Sequence, residues 1–154
     1  MGNPADLRID TSRVRLFTPE EANAFVGKLE SAFERMDPKL ARIRELRDLL
    51  DDLEAYYSES LTDAPSRDRE THARLLDELA GARAAVDACV AEILALGAEV
   101  KDVRLGLVDF YSQLDGDLVY LCWQRGEPQV GHWHTLETGY TGRRPLGARP
   151  KAEP

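Results

Sequence analysis

The sequence is short of the features that mark several large functional classes. It has only two cysteines in 154 residues, Cys89 and Cys122. They show no C-x-x-C spacing, so no disulfide framework is expected, and two free buried thiols in a reducing compartment are the simplest reading. No apolar run approaches the roughly 18 residues of a membrane span. The opening residues lack the basic and apolar regions of a signal peptide, and Asp6 stands where a myristoylation signal wants Ser or Thr. There is no G-x-S-x-G, no phosphate-binding loop and no H-E-x-x-H. Basic residues are outnumbered, with 20 Lys and Arg against 28 Asp and Glu. The formal net charge is −8 and the pI about 4.9, a surface that repels polyanions, so nucleic acid is not an expected partner. A cytoplasmic protein without a membrane partner is the expectation.

What is present is a globular composition, with 43% hydrophobic and 31% charged residues. Aromatic residues are few at 7% and gather between Phe110 and Tyr140, which already suggests two differently built halves. Thr18-Pro19-Glu20-Glu21 has the capping-box arrangement of a helix start: an N-cap hydroxyl, a proline at N1 and a glutamate at N3. Apolar residues then recur three or four apart at Val26, Leu29, Phe33, Met36, Leu40 and Ile43. After one phase slip the pattern resumes at Leu46, Leu50, Leu53 and Tyr57. This is a narrow coiled-coil-like stripe. Asp37-Pro38 interrupts it and predicts a kink, or a break capped by Asp37. Residues 58–68 read as a turn. A second stripe follows at His72, Leu75, Leu79, Ala82, Val86, Cys89, Ile93 and Leu96, ending at Gly97, a left-handed cap. Two such stripes predict an antiparallel helical hairpin.

Beyond Gly97 the period falls to two. Val103, Leu105, Leu107, Val108 and Phe110 suggest one strand, 118–123 a second and 130–136 a third, separated by Asp115-Gly116 and by Gly126-Glu127-Pro128. The expectation is an α+β fold, mainly α: a long antiparallel helical hairpin over 18–97, then a small antiparallel three-stranded β-meander over 98–146. The whole is expected to form one domain, with flexible ends at 1–16 and 147–154. The tail gathers Arg143, Arg144, Arg149 and Lys151 against Glu153, charges that ordinarily solvate a terminus.

His132, His134 and Glu137 are one candidate site. Residues two apart on a strand share a face, so both imidazoles project together, and a carboxylate three residues on joins them if the strand ends there. Two nitrogens and one oxygen with an open position suit catalytic zinc or iron, so a divalent metal is the candidate cofactor. The plainer alternative is two histidines on the solvated side of an edge strand. A second candidate set is a ligand site formed by Asp109, His134, Glu137 and Arg143. Asp109 is a charged residue in an apolar segment and needs a partner, which Arg143 or Arg144 can supply as an ion pair tying the tail to the sheet.

Gly97-Ala98-Glu99-Val100-Lys101-Asp102, Gly106-Leu107-Val108-Asp109-Phe110, Val119-Tyr120-Leu121-Cys122-Trp123, Trp133-His134 and Gly142-Arg143-Arg144-Pro145-Leu146 carry a resemblance. So does Phe17-Thr18-Pro19-Glu20-Glu21-Ala22-Asn23. Together they resemble the uncharacterised bacterial family known as domain of unknown function 2203, across roughly residues 17–146. The resemblance implies the architecture and no activity. It also implies that His134, rather than His132, is the family's feature, since the family carries an aromatic residue at the latter position. The leading functional expectation is a non-enzymatic interaction or scaffold domain that self-associates, or binds a protein partner, through its helical hairpin. The alternative is a small metal- or anion-dependent enzyme, or a ligand-binding protein, centred on His134, Glu137 and Asp109.

Overall fold

The computed structural model describes residues 12–148. The remaining parts of the expected flexible ends, Arg149, Lys151 and Glu153 among them, lie outside the described residues. The element order is α1 (Pro19–Asn23), α2 (Val26–Tyr57), a 3-10 turn (Ser58–Asp63), α3 (Ser66–Ala95) and five strands. These are β1 (Glu99–Asp102), β2 (Leu107–Leu114), β3 (Asp117–Gln124), β4 (His132–Thr135) and β5 (Arg144–Pro145). The fold is mainly helical, and the sheet is antiparallel in the order β1-β2-β3-β4-β5. Two compact units are distinguishable, one comprising residues 30–92 and the other the segments on either side.

In the 30–92 unit, α2 runs, bent, through Pro38 without a break. Its pairing with α3 sets the direction of the two helices. Arg35 bonds Glu92, Arg42 bonds Glu78, Glu54 bonds His72 and the Tyr57 hydroxyl donates to Asp68. Partner numbers fall along α3 as they rise along α2, so the helices are antiparallel. Leu46, Leu50, Leu75 and Leu79 are buried between them, with Ile43 and Ala82 at the margin. Burying one such leucine contributes about 1.5–3 kcal/mol. Apolar burial of this kind, to which Phe33, Met36, Val86 and Cys89 also contribute, rather than the exposed ion pairs, holds this unit together.

The other unit holds the sheet. Thr18 caps α1 as the sequence predicts: its hydroxyl accepts from the Glu21 amide at 3.2 Å, and Glu21 accepts from the Thr18 amide at 3.4 Å. Phe17 anchors the segment to β2. Its amide donates to Tyr111 O at 2.8 Å, its carbonyl accepts from Ser112 Oγ at 2.6 Å, and its ring meets Phe110 edge-on at 5.0 Å. Asn23 extends the anchoring by accepting from the Val130 amide at 2.6 Å. Gly97 closes α3 with φ of +95°, and a Cβ there would stand 3.2 Å from Phe17 Cζ. Both requirements disfavour any other residue. Alternate residues of β2 and β3 (Val108, Phe110, Val119, Leu121 and Trp123) form a mainly apolar face of the sheet, on which Ser112 is the buried polar residue, satisfied by Phe17 O.

The expected three strands are five, and the first is displaced. Residues 103–106 form a turn, not a strand: the Leu105 amide donates to Asp102 Oδ1 at 2.8 Å, Leu105 is exposed, and Gly106 takes φ of +69°. The side-chain-capped turn at Asp102 overrides the alternating pattern there. β1 carries no strand pattern because three of its four residues are charged, and β5 carries none because it is two residues long and includes a proline. The β2–β3 turn is as predicted. Asp115 and Gly116 both have positive φ, at 52° and 83°, in a two-residue loop between the paired Leu114 and Asp117.

Candidate functional site

Register places the candidate residues. Asp109 on β2 pairs with Cys122 on β3, Cys122 pairs with His132 on β4, and His134 pairs with Tyr120. Directly opposed residues share a face, as do residues two apart on a strand. Asp109, Cys122, Tyr120, His132 and His134 therefore project from one face, opposite Phe110 and Trp123. Asp109 and His134 stand on strands separated by β3, roughly 10 Å apart in backbone spacing, and their side chains meet above it. His134 Nε2 lies 2.9 Å from Asp109 Oδ2, with both side chains 3% exposed.

The hydrogen positions follow from the acceptors. His134 Nδ1 is 2.8 Å from Thr135 O, and a carbonyl only accepts, so Nδ1 carries a hydrogen. That leaves Nε2 facing Asp109, with a single proton between them: an imidazolium beside a carboxylate, or a neutral imidazole accepting from a carboxylic acid. Burial pushes the Asp109 carboxyl above the usual carboxylate range, against the opposing pull of His134. Asp109 Oδ1 is buried without a hydrogen-bond partner among the described residues. Beside the pair, the Cys122 thiol is pushed up to about 12 by burial and by the Asp109 charge. One ligand atom each from Asp109, Cys122 and His134 lie within 4.8 Å of one another, and all three residues are buried.

These groups floor a pocket of about 180 Å³, lined also by Lys101, Leu107, Leu136, Gly139 and Tyr140. The segment after β4 folds over this face and supplies three of those residues. At one side stands a hydroxyl chain. Tyr120 OH is 3.1 Å from Glu99 Oε2 and 2.8 Å from Tyr111 OH, so Tyr111 donates to Tyr120 and Tyr120 to the carboxylate. Lys101 Nζ binds Glu99 at 2.5 Å and lies 4.5 Å from the centre of the Tyr120 ring. The pocket thus offers one buried carboxyl group and one ammonium.

Of the residues singled out from the sequence, Asp109 and His134 come together. His132 shares their face but turns to Glu127, with Nδ1 3.2 Å from Oε2 and without the geometry of a hydrogen bond. Glu137 is exposed beyond the end of β4. It borders a separate groove with Trp133, Thr135 and Leu136, the first two being strand residues of opposite parity to His134. Arg143 binds Glu127 at 2.5 Å and Cys122 O at 3.4 Å, not Asp109. Glu127 also accepts from the Gln124 amide at 2.6 Å. The ion pair tying the tail to the sheet thus exists with Glu127 as its acid, and His134 takes the place expected for an arginine beside Asp109. Arg144 lies over the Trp133 ring at 5.6 Å.

Cys122, Tyr120, Lys101 and Glu127 are site residues that no sequence motif singles out. An alternating strand pattern is the available signal for Cys122, which shares parity with Tyr120, but its closeness to Asp109 depends on a pairing register that one sequence does not display.

Among the described residues no helix is long and apolar enough to cross a membrane. No curated protein and no solved structure matches the chain. A family match covers residues 15–146, a span that includes every residue lining the pocket. The chain therefore belongs to the family described as Uncharacterized conserved protein (DUF2203).

Proposed function

We propose that the pocket over Asp109, Cys122 and His134 is the working part of the protein and binds a small polar ligand. The observation that carries this reading is the buried Asp109 carboxyl, facing the pocket with one oxygen unpartnered beside an imidazole whose Nε2 is aimed at it. A buried carboxyl group of this kind costs folding free energy unless a partner completes it, and such groups gather at functional sites. The volume is below the roughly 300–1,000 Å³ of pockets that hold drug-sized ligands, so the occupant has few atoms. The Asp109–His134 pair can give or take one proton at such an occupant, and Lys101 can hold an anionic group.

The test is amide NMR of the full chain titrated with acetate, glycolate, glycine and inorganic phosphate. The expected result is saturable shifts at Cys122, His134 and Gly139 for at least one compound, abolished in Lys101→Ala or His134→Gln. Shifts elsewhere, with none at these amides, overturn the reading. Concentration-dependent changes at Leu49, Tyr56 and Leu76 would instead place the function on the helical unit, as a self-association surface. That alternative draws its support from the exposure of these three apolar side chains, 48%, 81% and 44%.

A further inference from the structure

We infer that Asp109, Cys122 and His134 form a three-residue site for a divalent transition metal, zinc by ligand preference, with its fourth position open to the pocket. The inference rests on the pocket reading above and identifies what the pocket holds first.

Three independent features support it. The donor set is one carboxylate oxygen, one sulfur and one imidazole nitrogen, a mixture that suits zinc and excludes magnesium and calcium, which take oxygen ligands. The spacing is close to what a metal needs. Zinc bonds of about 2.0–2.3 Å in a tetrahedron put ligand atoms about 3.2–3.7 Å apart, and the three atoms here already lie within 4.8 Å of one another. Movement of about 1 Å is sufficient, and the short Asp109–His134 contact at 2.9 Å opens slightly as the ion enters.

The outer contacts are also those of a ligand histidine. Nδ1 donates to Thr135 O at 2.8 Å, which fixes the tautomer and presents Nε2 as the donor atom, the arrangement commonly found behind metal-bound imidazoles. Asp109 Oδ1 is available as well. With three protein ligands beside a pocket that Lys101 and Tyr140 also line, the site has the open coordination of a catalytic rather than a structural zinc centre. His132 and Glu137 are not needed, since the first turns to Glu127 and the second borders another groove.

The proton balance is definite. The hydrogen shared by Asp109 and His134 leaves, the Cys122 S–H bond breaks and its proton leaves, and bonds form from the metal to Oδ, Sγ and Nε2. Entry of one dication into this site therefore releases about two protons to solvent and leaves the set of ion and ligands neutral.

The experiment uses the full chain after chelator treatment, titrated with Co²⁺ as an optical probe and then with Zn²⁺ in competition. The expected result is one ion per chain with visible bands of a tetrahedral site, a near-ultraviolet sulfur-to-cobalt band and release of about two protons. Cys122→Ser removes the sulfur band, and Asp109→Asn and His134→Gln each weaken binding by more than about 100-fold, beyond the usual effect of an outer-shell change. Cys89→Ser, a buried thiol outside the pocket, changes none of these. Circular dichroism of each variant identifies any that fail to fold, and the sulfur band of the wild type stands without them. Absence of Co²⁺ binding, binding without a sulfur band, or a band lost with Cys89→Ser overturns the proposal. Pocket amide shifts with the small anions, in a protein that takes no Co²⁺, discard the metal and retain the pocket. Loss of both discards both.

Discussion

In metal-free protein, His134→Ala is expected to lower the unfolding free energy by about 3–5 kcal/mol near neutral pH, the usual cost of leaving a buried charge without its partner. Both side chains are 3% exposed and 2.9 Å apart, so water does not readily replace the lost imidazole. The loss depends on pH in a definite direction. Asp109 already holds its proton more tightly in the folded chain than an ordinary carboxyl does, because it is buried. A folded carboxyl with a raised pKa contributes stability that is present below the unfolded value and lost as pH rises through the folded one. Removing His134 takes away the influence that holds Asp109 down, so the window moves upward. The variant should come closest to wild type at about pH 4 and fall furthest behind at about pH 8. Urea unfolding at the two pH values measures this. Asp109→Val combined with His134→Leu should be less destabilised than His134→Ala by about 1–3 kcal/mol, because no orphan charge remains. Equal losses at both pH values, or a double variant worse than the single, would contradict the account of the pair.

Trp123→Ala is the second large effect, at about 3–5 kcal/mol. The side chain is fully buried on the apolar face of the sheet, and truncation leaves a cavity that two neighbouring strands cannot close. Its Nε1 donates to Glu127 O at 3.0 Å, at the residue whose carboxylate holds Arg143 and the Gln124 amide. The indole therefore supports both the core and the turn that secures the tail. Trp123→Phe separates the two contributions. It keeps most of the buried area and loses one hydrogen bond, so it should cost only about 1–2 kcal/mol. A cost for Trp123→Phe as large as for Trp123→Ala would place the main contribution in the hydrogen bond rather than in packing.

Much of this architecture is legible in the amino-acid sequence alone. The capping box at Thr18 and Glu21, the stripes that bury Leu46, Leu50, Leu75 and Leu79, the left-handed Gly97 and the Asp115-Gly116 turn are local patterns, and local physics writes them into short windows of sequence. β1 and β5 are not legible. Their residues are charged or proline-bearing, and they belong to the sheet only because β2 and β4 present open edges to them. For the site, Asp109 stands out as a charge in an apolar strand, and His134 as an imidazole on a face shared with His132. Their meeting is hidden because it spans β3, and it depends on register and on the fold of residues 136–142 over the same face. Cys122 reads as core for that reason, and Glu137 reads as a ligand because the parity change after Thr135 is set by where β4 ends.

The most direct measurement of the central claim is nitrogen-15 NMR of the His134 imidazole in the chelator-treated full chain. The expected result is a slowly exchanging Nδ1 proton bonded to the Thr135 carbonyl, and an Nε2 resonance that moves in Asp109→Asn and stays in place in Glu127→Gln. A rapidly exchanging ring, averaged between tautomers and indifferent to Asp109→Asn, would contradict it.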